Sequence, residues 1–224
     1  MGYSRFAPMT GIVRSGEERA TLVRRTYSLV FASVVITVLG TAFGLTQPSM
    51  MDAVKEHPFI AAICWFVPLL LAQLSRKNPV QSIGLVFVGA FVLGLVLSAP
   101  LSQLPAGVAG QAGILTLSTF GVLTAYAWLS KRDFSAWGGF FVTGLWVIIA
   151  ASFLNIFFHN PGIQLWISAV GLFVMSGLLV FDTWRIRNVY GPDDYVMAAV
   201  TIYLDLLNMF LFMLKLLSGG RSRN

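Results

Sequence analysis

The chain has 224 residues, of which 57% are hydrophobic and only 11% are charged. Soluble domains carry about 25% charged residues, so this composition excludes a soluble globular protein and a disordered chain. The same composition excludes a nucleic-acid-binding module whose affinity comes from a basic face, and the formal net charge of +6 is informative only through its distribution along the chain. The single cysteine, Cys64, excludes an internal disulfide and a cysteine-based metal cluster.

Seven apolar segments reach or approach the length of about 20 residues that a helix needs to cross a bilayer. The first five of them contain no charged residue, and their continuous apolar runs disfavour a β-barrel. The segments are Thr26–Thr46, Pro58–Ser75, Pro79–Ala99, Ala106–Leu129, Ser135–Phe158, Ile163–Trp184 and Tyr195–Leu217. We therefore predict an all-α membrane protein with one seven-helix transmembrane domain over residues 26–217. A basic tail (1–25) precedes this domain and a short tail (218–224) follows it.

Short motifs predict local features of the first and third spans. Ser15 and Glu18 have the spacing of a capping box, so the first helix is expected to begin in water near Gly16. Small residues four apart, Gly40 with Gly44 and Ala90 with Gly94, allow helix backbones to approach closely. We expect these pairs to serve packing inside the chain rather than a dimer face.

The basic residues of the connections alternate between the two sides of the membrane. Eleven lie in the N-terminal tail and the even-numbered connections, against one in the odd-numbered connections. The positive-inside rule then places the N-terminus in the cytoplasm, and seven spans place the C-terminus outside. Because the N-terminal tail is short, we expect an integral protein of a bacterial inner membrane.

Two carboxylates inside the predicted spans are the most informative residues. A charge at the centre of a membrane helix costs about 2.5–3.5 kcal/mol, so such residues are functional hypotheses by default. The midpoint in sequence between Asp182 and Asp205 lies inside the Gly191–Asp194 turn, and a hairpin folded there brings them to one depth.

Two facing carboxyl groups in a low dielectric cannot easily both ionise, so we expect them to share one proton. Such a pair is a pH switch, and its anionic form is a possible transient site for Ca²⁺. The alternative is a pair of buried acids that cap helix ends or bond to nearby hydroxyl groups. Thr201 and Asn208 lie on the same helical stripe as Asp205, and Asn208 is a candidate to orient its carboxylate.

Two segments of the last hairpin resemble a known family. Phe181-Asp182-Thr183 and the run from Tyr203 to Phe210 are similar to the signature of the transmembrane Bax-inhibitor-motif family. The resemblance implies a central seventh helix, and a di-aspartyl pH sensor formed by Asp182 and Asp205. It also implies that an arginine at the inner end of the second span, here Arg76, pairs with the sixth-span aspartate. An ordinary positive-inside anchor remains the alternative for Arg76.

The resemblance leaves two functions open. Some bacterial relatives are pH-dependent calcium leaks, and others bind and restrain a membrane-anchored AAA protease. We therefore expect either a pH-gated cation leak or a regulator without transport activity, and in both cases a non-enzyme without a cofactor. The expected surroundings are the lipid bilayer, with a monomer favoured and no nucleic acid bound.

Overall fold

The computed structural model describes residues 16–75 and 78–221, and within these ranges it is built from α-helices without a strand. The eight helices are α1 (Gly16–Leu45), α2 (Pro48–Glu56), α3 (Pro58–Leu74), α4 (Pro79–Leu101), α5 (Val108–Leu129), α6 (Ser135–Phe158), α7 (Pro161–Asn188) and α8 (Tyr195–Arg221). α1 begins at Gly16, as the sequence predicts, while the proposed cap Ser15 lies outside the described residues.

Six of these helices, α1 and α4 to α8, are long and apolar enough to cross a membrane. The predicted second span differs, because α3 has only 17 residues and is preceded by α2, to which it is bent by 101°. The bend has a local cause. Pro58 begins α3, and a residue before proline, here His57, disfavours the helical conformation. The count of seven holds only if α2 and α3 together form one span.

Asparagine and proline fix the starts of two long helices. Asn78 Oδ1 accepts a hydrogen bond from the Gln81 amide at 3.3 Å, and α4 begins at the proline that follows. Asn160 Oδ1 likewise accepts from Gly162 N at 2.9 Å before α7, which begins at Pro161. Each side chain satisfies an amide that the first helical turn leaves unpaired.

α7 continues four residues past the predicted end of the sixth span, to Asn188. Its last turn is held by Arg187, whose Nη1 donates to the backbone oxygens of Trp128 at 3.0 Å and Ser130 at 2.9 Å. These oxygens belong to the C-terminal end of α5, where carbonyls lack partners in the helix. The contact fixes the end of α7 against α5.

Glycines bring α1 and α4 together. A Cβ atom added to Gly40 would overlap the backbone oxygen of Phe91, and one added to Gly94 would overlap the backbone oxygen of Thr37. The predicted use of these small residues in packing within the chain is therefore confirmed for this helix pair.

α8 packs against α1, α3, α4, α5 and α7, and its inward face includes the fully buried Val200, Ile202 and Met209. The outer surface of the bundle exposes large apolar side chains over a wider area than soluble monomeric proteins leave in contact with water. Phe31, Trp146 and Trp166, for example, are all strongly exposed. The protein is an integral membrane protein whose apolar surface faces lipid.

Candidate functional site

The α7–α8 hairpin places Asp182 and Asp205 side by side. Each residue is only 5% exposed, and the two carboxyl groups are neighbours across the contact between α7 and α8. The hairpin therefore brings the two intramembrane carboxylates to one depth, at the contact between two antiparallel helices.

Arg185 is the cation beside the pair. Its Nη1 lies 2.9 Å from Asp182 Oδ1, one turn further along the same helix. The guanidinium also lies over two aromatic rings, 5.6 Å from the centroid of Phe181 and 4.8 Å from that of Tyr190. The Arg185 side chain is 32% exposed, so it reaches toward the membrane surface while Asp182 remains buried. Ion pair and aromatic contacts together fix its position.

One carboxyl oxygen of the site lacks a hydrogen-bond donor among the described residues. Asp205 Oδ2 is buried, and no described residue donates a hydrogen bond to it. Carboxylate oxygens are acceptors only, so two ionised carboxylates cannot bond to each other, whereas one protonated carboxyl group supplies the missing donor. One proton also balances the charge, because two carboxyl groups then carry one negative charge opposite the one positive charge of Arg185. The arrangement therefore suits one shared proton.

Tyr190 closes the site at its aqueous end. It is buried in the α7–α8 connection, where Arg185 of α7 and Thr201 of α8 are its neighbours. Burial raises the pKa of the Tyr190 hydroxyl above its ordinary value of 10, although the neighbouring Arg185 guanidinium acts in the opposite direction. Tyr190 is therefore a neutral donor at physiological pH. It links the residue that holds Asp182 to the helix that carries Asp205.

The three supporting residues named from the sequence have different surroundings. Thr201 contacts Tyr190, and its Oγ1 donates to the Met197 backbone oxygen at 3.0 Å. The Asn208 amide nitrogen donates to the Leu204 backbone oxygen at 2.8 Å, which directs that donor along its own helix. Arg76 lies outside the described residues.

Sequence reasoning missed Arg185 and Tyr190. The spacing Asp182-x-x-Arg185 is a detectable signal, because residues three apart on a helix lie on one face. Arg185 looked like one more positive charge at a span end, because the sixth span was expected to finish at Trp184. Tyr190 gave no signal, since a tyrosine beside a Gly-Pro turn looks like an exposed loop residue.

The comparisons with known proteins agree with the hairpin signature. A family model described as inhibitor of apoptosis-promoting Bax1 matches residues 19–223. The chain belongs to the Bax inhibitor-1 family. It is 30% identical to Protein lifeguard 4 of Mus musculus over 90% of this chain and 86% of the mouse protein. It is 32% identical to an uncharacterized protein of Campylobacter jejuni over 92% of this chain and 91% of that protein. It is also 30% identical to the Golgi anti-apoptotic protein of Vaccinia virus, strain Lister, over 92% of this chain and 88% of the viral one.

Proposed function

We propose that this Bax inhibitor-1 family protein is a pH-sensitive cation leak, with Ca²⁺ as its principal ion, and that it is not an enzyme. The gate is the carboxyl pair of Asp182 and Asp205. The observation that carries the proposal is a pair of buried, neighbouring carboxyl groups on two helices, with one arginine beside it and one buried carboxyl oxygen that has no hydrogen-bond donor among the described residues.

The gate works through the number of protons on the pair. With one proton, a carboxyl–carboxylate hydrogen bond ties α7 to α8, and Arg185 compensates the remaining charge. When that proton leaves, two carboxylates face each other and only Asp182 has a cation, so repulsion separates the helices. Addition of a second proton removes the anion and leaves Arg185 without a charged partner. The closed state is therefore expected at intermediate proton occupancy.

In this proposal, a movement of α8 displaces the helices that pack against it. α8 contacts α1, α3, α4, α5 and α7, which supports a central position for the last span among those helices. For a count of seven spans, α2 and α3 together serve as the second span. The charge pattern supports an N-terminus in the cytoplasm of a bacterial cell and a C-terminus on the outer side.

Calcium would be a passing ion at this site rather than a resident one. Ca²⁺ takes six to eight oxygen ligands, and two carboxylates supply at most four. Among the described residues there is no group of three metal-binding side chains. An ion that passes the pair keeps part of its water shell and leaves again, as a leak requires.

Flux in liposomes tests the proposal. Purified protein is reconstituted into vesicles loaded with a calcium-sensitive dye, and Ca²⁺ entry is followed from pH 5 to pH 9. We expect pH-dependent entry for the native chain. Asp205→Ala and Asp205→Asn should lose the part of this dependence toward alkaline pH that follows release of the shared proton.

The matched control is Asp52→Asn, which removes an exposed carboxylate of α2 that pairs with Lys55 at 3.0 Å. Its flux–pH curve should follow that of the native chain. Unchanged pH dependence in both Asp205 variants would refute the gate. Vesicles that stay silent at every pH would refute the leak and favour the regulator of a membrane protease, which co-purification from native membranes would then identify.

A further inference from the structure

A second feature of the bundle lies away from the carboxyl pair. A cavity of about 410 Å³ is enclosed by α1, α4, α5 and α8, on the side of the bundle where α1 and α4 end. We call it the lateral groove. Its floor is formed by buried residues of α8, among them Tyr203, Leu206 and Leu207, which are between 2% and 8% exposed. The volume lies within the range of small-molecule sites, roughly 300–1,000 Å³.

The groove opens sideways, toward lipid. Its rim is formed by Val38 and Leu45 of α1 and by Leu117 of α5, which are between 45% and 61% exposed. In a protein embedded in a bilayer these rim side chains contact hydrocarbon, so the mouth of the groove is open to acyl chains rather than to water.

The lining has almost nothing to offer a polar ligand. No charged residue lines the groove, and its α1 hydroxyl groups are already bonded within the protein. Thr37 Oγ1 lies 2.7 Å from the Tyr203 hydroxyl, and Thr41 Oγ1 donates to the Gly94 backbone oxygen at 3.0 Å. An unfilled apolar cavity of this size would lose dispersion contacts along its whole lining, so hydrocarbon is the occupant that its surface favours.

The length of the groove fits one leaflet. Its α1 residues run from Val34 to Leu45, which is eleven helical steps or about 16 Å. Half of the hydrocarbon core is about 15 Å. A single acyl chain that enters beside Leu45 therefore reaches the deep end near Thr37 and Tyr203 without leaving its own leaflet.

We propose that the lateral groove binds one acyl chain of a phospholipid from the leaflet that surrounds the end of α1. This site is independent of the carboxyl pair, and it stands whether or not the protein conducts ions. The headgroup of this lipid lies at the membrane surface. The methyl end of the bound acyl chain lies at the deep end of the groove, near Thr37 and Tyr203.

Photo-crosslinking tests the proposal on the native chain. The protein is reconstituted in phosphatidylcholine vesicles that contain phosphatidylcholine with a diazirine on one acyl chain, either near the ester or near the methyl end. After irradiation the labelled residues are mapped by mass spectrometry. We expect the methyl-end probe to label the floor around Tyr203 and Thr116, and the ester-end probe to label the region of Leu45 and Ala109. Labels confined to exposed outer residues such as Phe31 and Val122 with both probes would overturn the proposal.

A pair of glycine variants gives the matched control. Gly113 lines the groove and Gly121 lies elsewhere on α5, and a Cβ atom at either position meets nothing within 4 Å. Gly113→Phe should fill the groove and abolish labelling of the floor, while Gly121→Phe should leave it unchanged. If Gly113→Phe does not fold, the comparison of the two probe positions on the native chain still decides the matter. Floor labelling that persists in folded Gly113→Phe would overturn the proposal.

Two further experiments distinguish a phospholipid acyl chain from other occupants of the groove. Thr116 Oγ1 is the buried groove hydroxyl without a partner among the described residues, so a polar ligand would be expected to use it. Thr116→Val should leave floor labelling by the phospholipid unchanged, and a loss would contradict a hydrocarbon occupant. A free fatty acid with the same diazirine serves as the second arm. Floor labelling by the fatty acid without labelling by the phospholipid would refute a membrane lipid as the occupant.

Discussion

Replacement of Asp205 by asparagine isolates the shared proton from the rest of the fold. Asparagine has nearly the shape of a protonated aspartate, and its amide can donate to Asp182 without ever ionising. The variant is therefore a permanent copy of the protonated pair. At low pH its stability should equal that of the native chain, because both then present one neutral group and one carboxylate beside Arg185.

The difference should grow as the pH rises. In the proposed shared-proton state the folded chain holds a proton that the unfolded chain has released, so the stability should fall by about 1.4 kcal/mol for each pH unit. The fall ends when the folded pair also loses its proton. Beyond that point the two ionised carboxylates repel each other in a buried site, so the native chain remains less stable than Asp205→Asn. Asp205→Asn should lack this slope.

Thermal unfolding in detergent micelles, followed by tryptophan fluorescence between pH 4 and pH 9, measures the effect. Asp52→Asn is the control, because it removes an exposed carboxylate and should follow the native curve. We expect the native and Asp205→Asn midpoints to coincide at the acid end and to separate toward the alkaline end. Parallel curves for these two proteins over the whole range would refute the shared proton, and with it the gate.

Three further predictions concern the neighbours of the pair and the helix packing. Arg185→Gln removes the cation beside two carboxylates, so the pH midpoint of Ca²⁺ flux should move to higher pH. The loss of stability should be about 1–2 kcal/mol, because the Arg185 side chain is one-third exposed. A flux midpoint that stays in place would contradict the role of Arg185. Tyr190→Phe removes a buried hydroxyl group beside Arg185 and Thr201, and near neutral pH it should change the stability by no more than about 1 kcal/mol. Because the folded pKa of Tyr190 is raised, its contribution is full below pH 10 and is lost as the pH rises through that pKa, so the variant should lack this alkaline loss in unfolding experiments. Gly94→Ala should destabilise the α1–α4 contact by about 1–3 kcal/mol in thermal unfolding, whereas Gly84→Ala, whose Cβ meets nothing within 4 Å, should not.

Long apolar runs and small-residue spacing were sufficient to predict most of the helices and one of their contacts. The six long helices and the glycine contact between α1 and α4 follow from properties of short stretches of sequence. The bend at His57 was missed because α2 lies in a connection that carries charge and looks like a loop. Pro58 was interpreted as the start of a span, and the helix that ends just before it has no continuous apolar run to reveal it.

The site was predictable to the extent that it depends on symmetry about a turn. The position of the Gly191–Asp194 turn about midway between Asp182 and Asp205 was enough to place them together. The residues that contact the pair depend on how far α7 extends beyond the predicted span and on how the turn folds back. Hydropathy predicts neither of these features. For this reason the sequence indicates only a connection charge at Arg185, and it gives no signal for Tyr190.

In the proposed gate, the position of Arg185 determines which carboxylate acts as the switch. Arg185 lies on the same helix as Asp182, one turn away, so the ion pair moves as a unit with α7 when the two helices separate. Asp182 therefore keeps its counter-charge in both states, whereas Asp205 exchanges a shared proton for an unpaired charge. An arginine on another helix would have had to break its ion pair during the same movement, at a further electrostatic cost. With the cation on α7, release of one proton from the pair is sufficient to change the contact between α7 and α8.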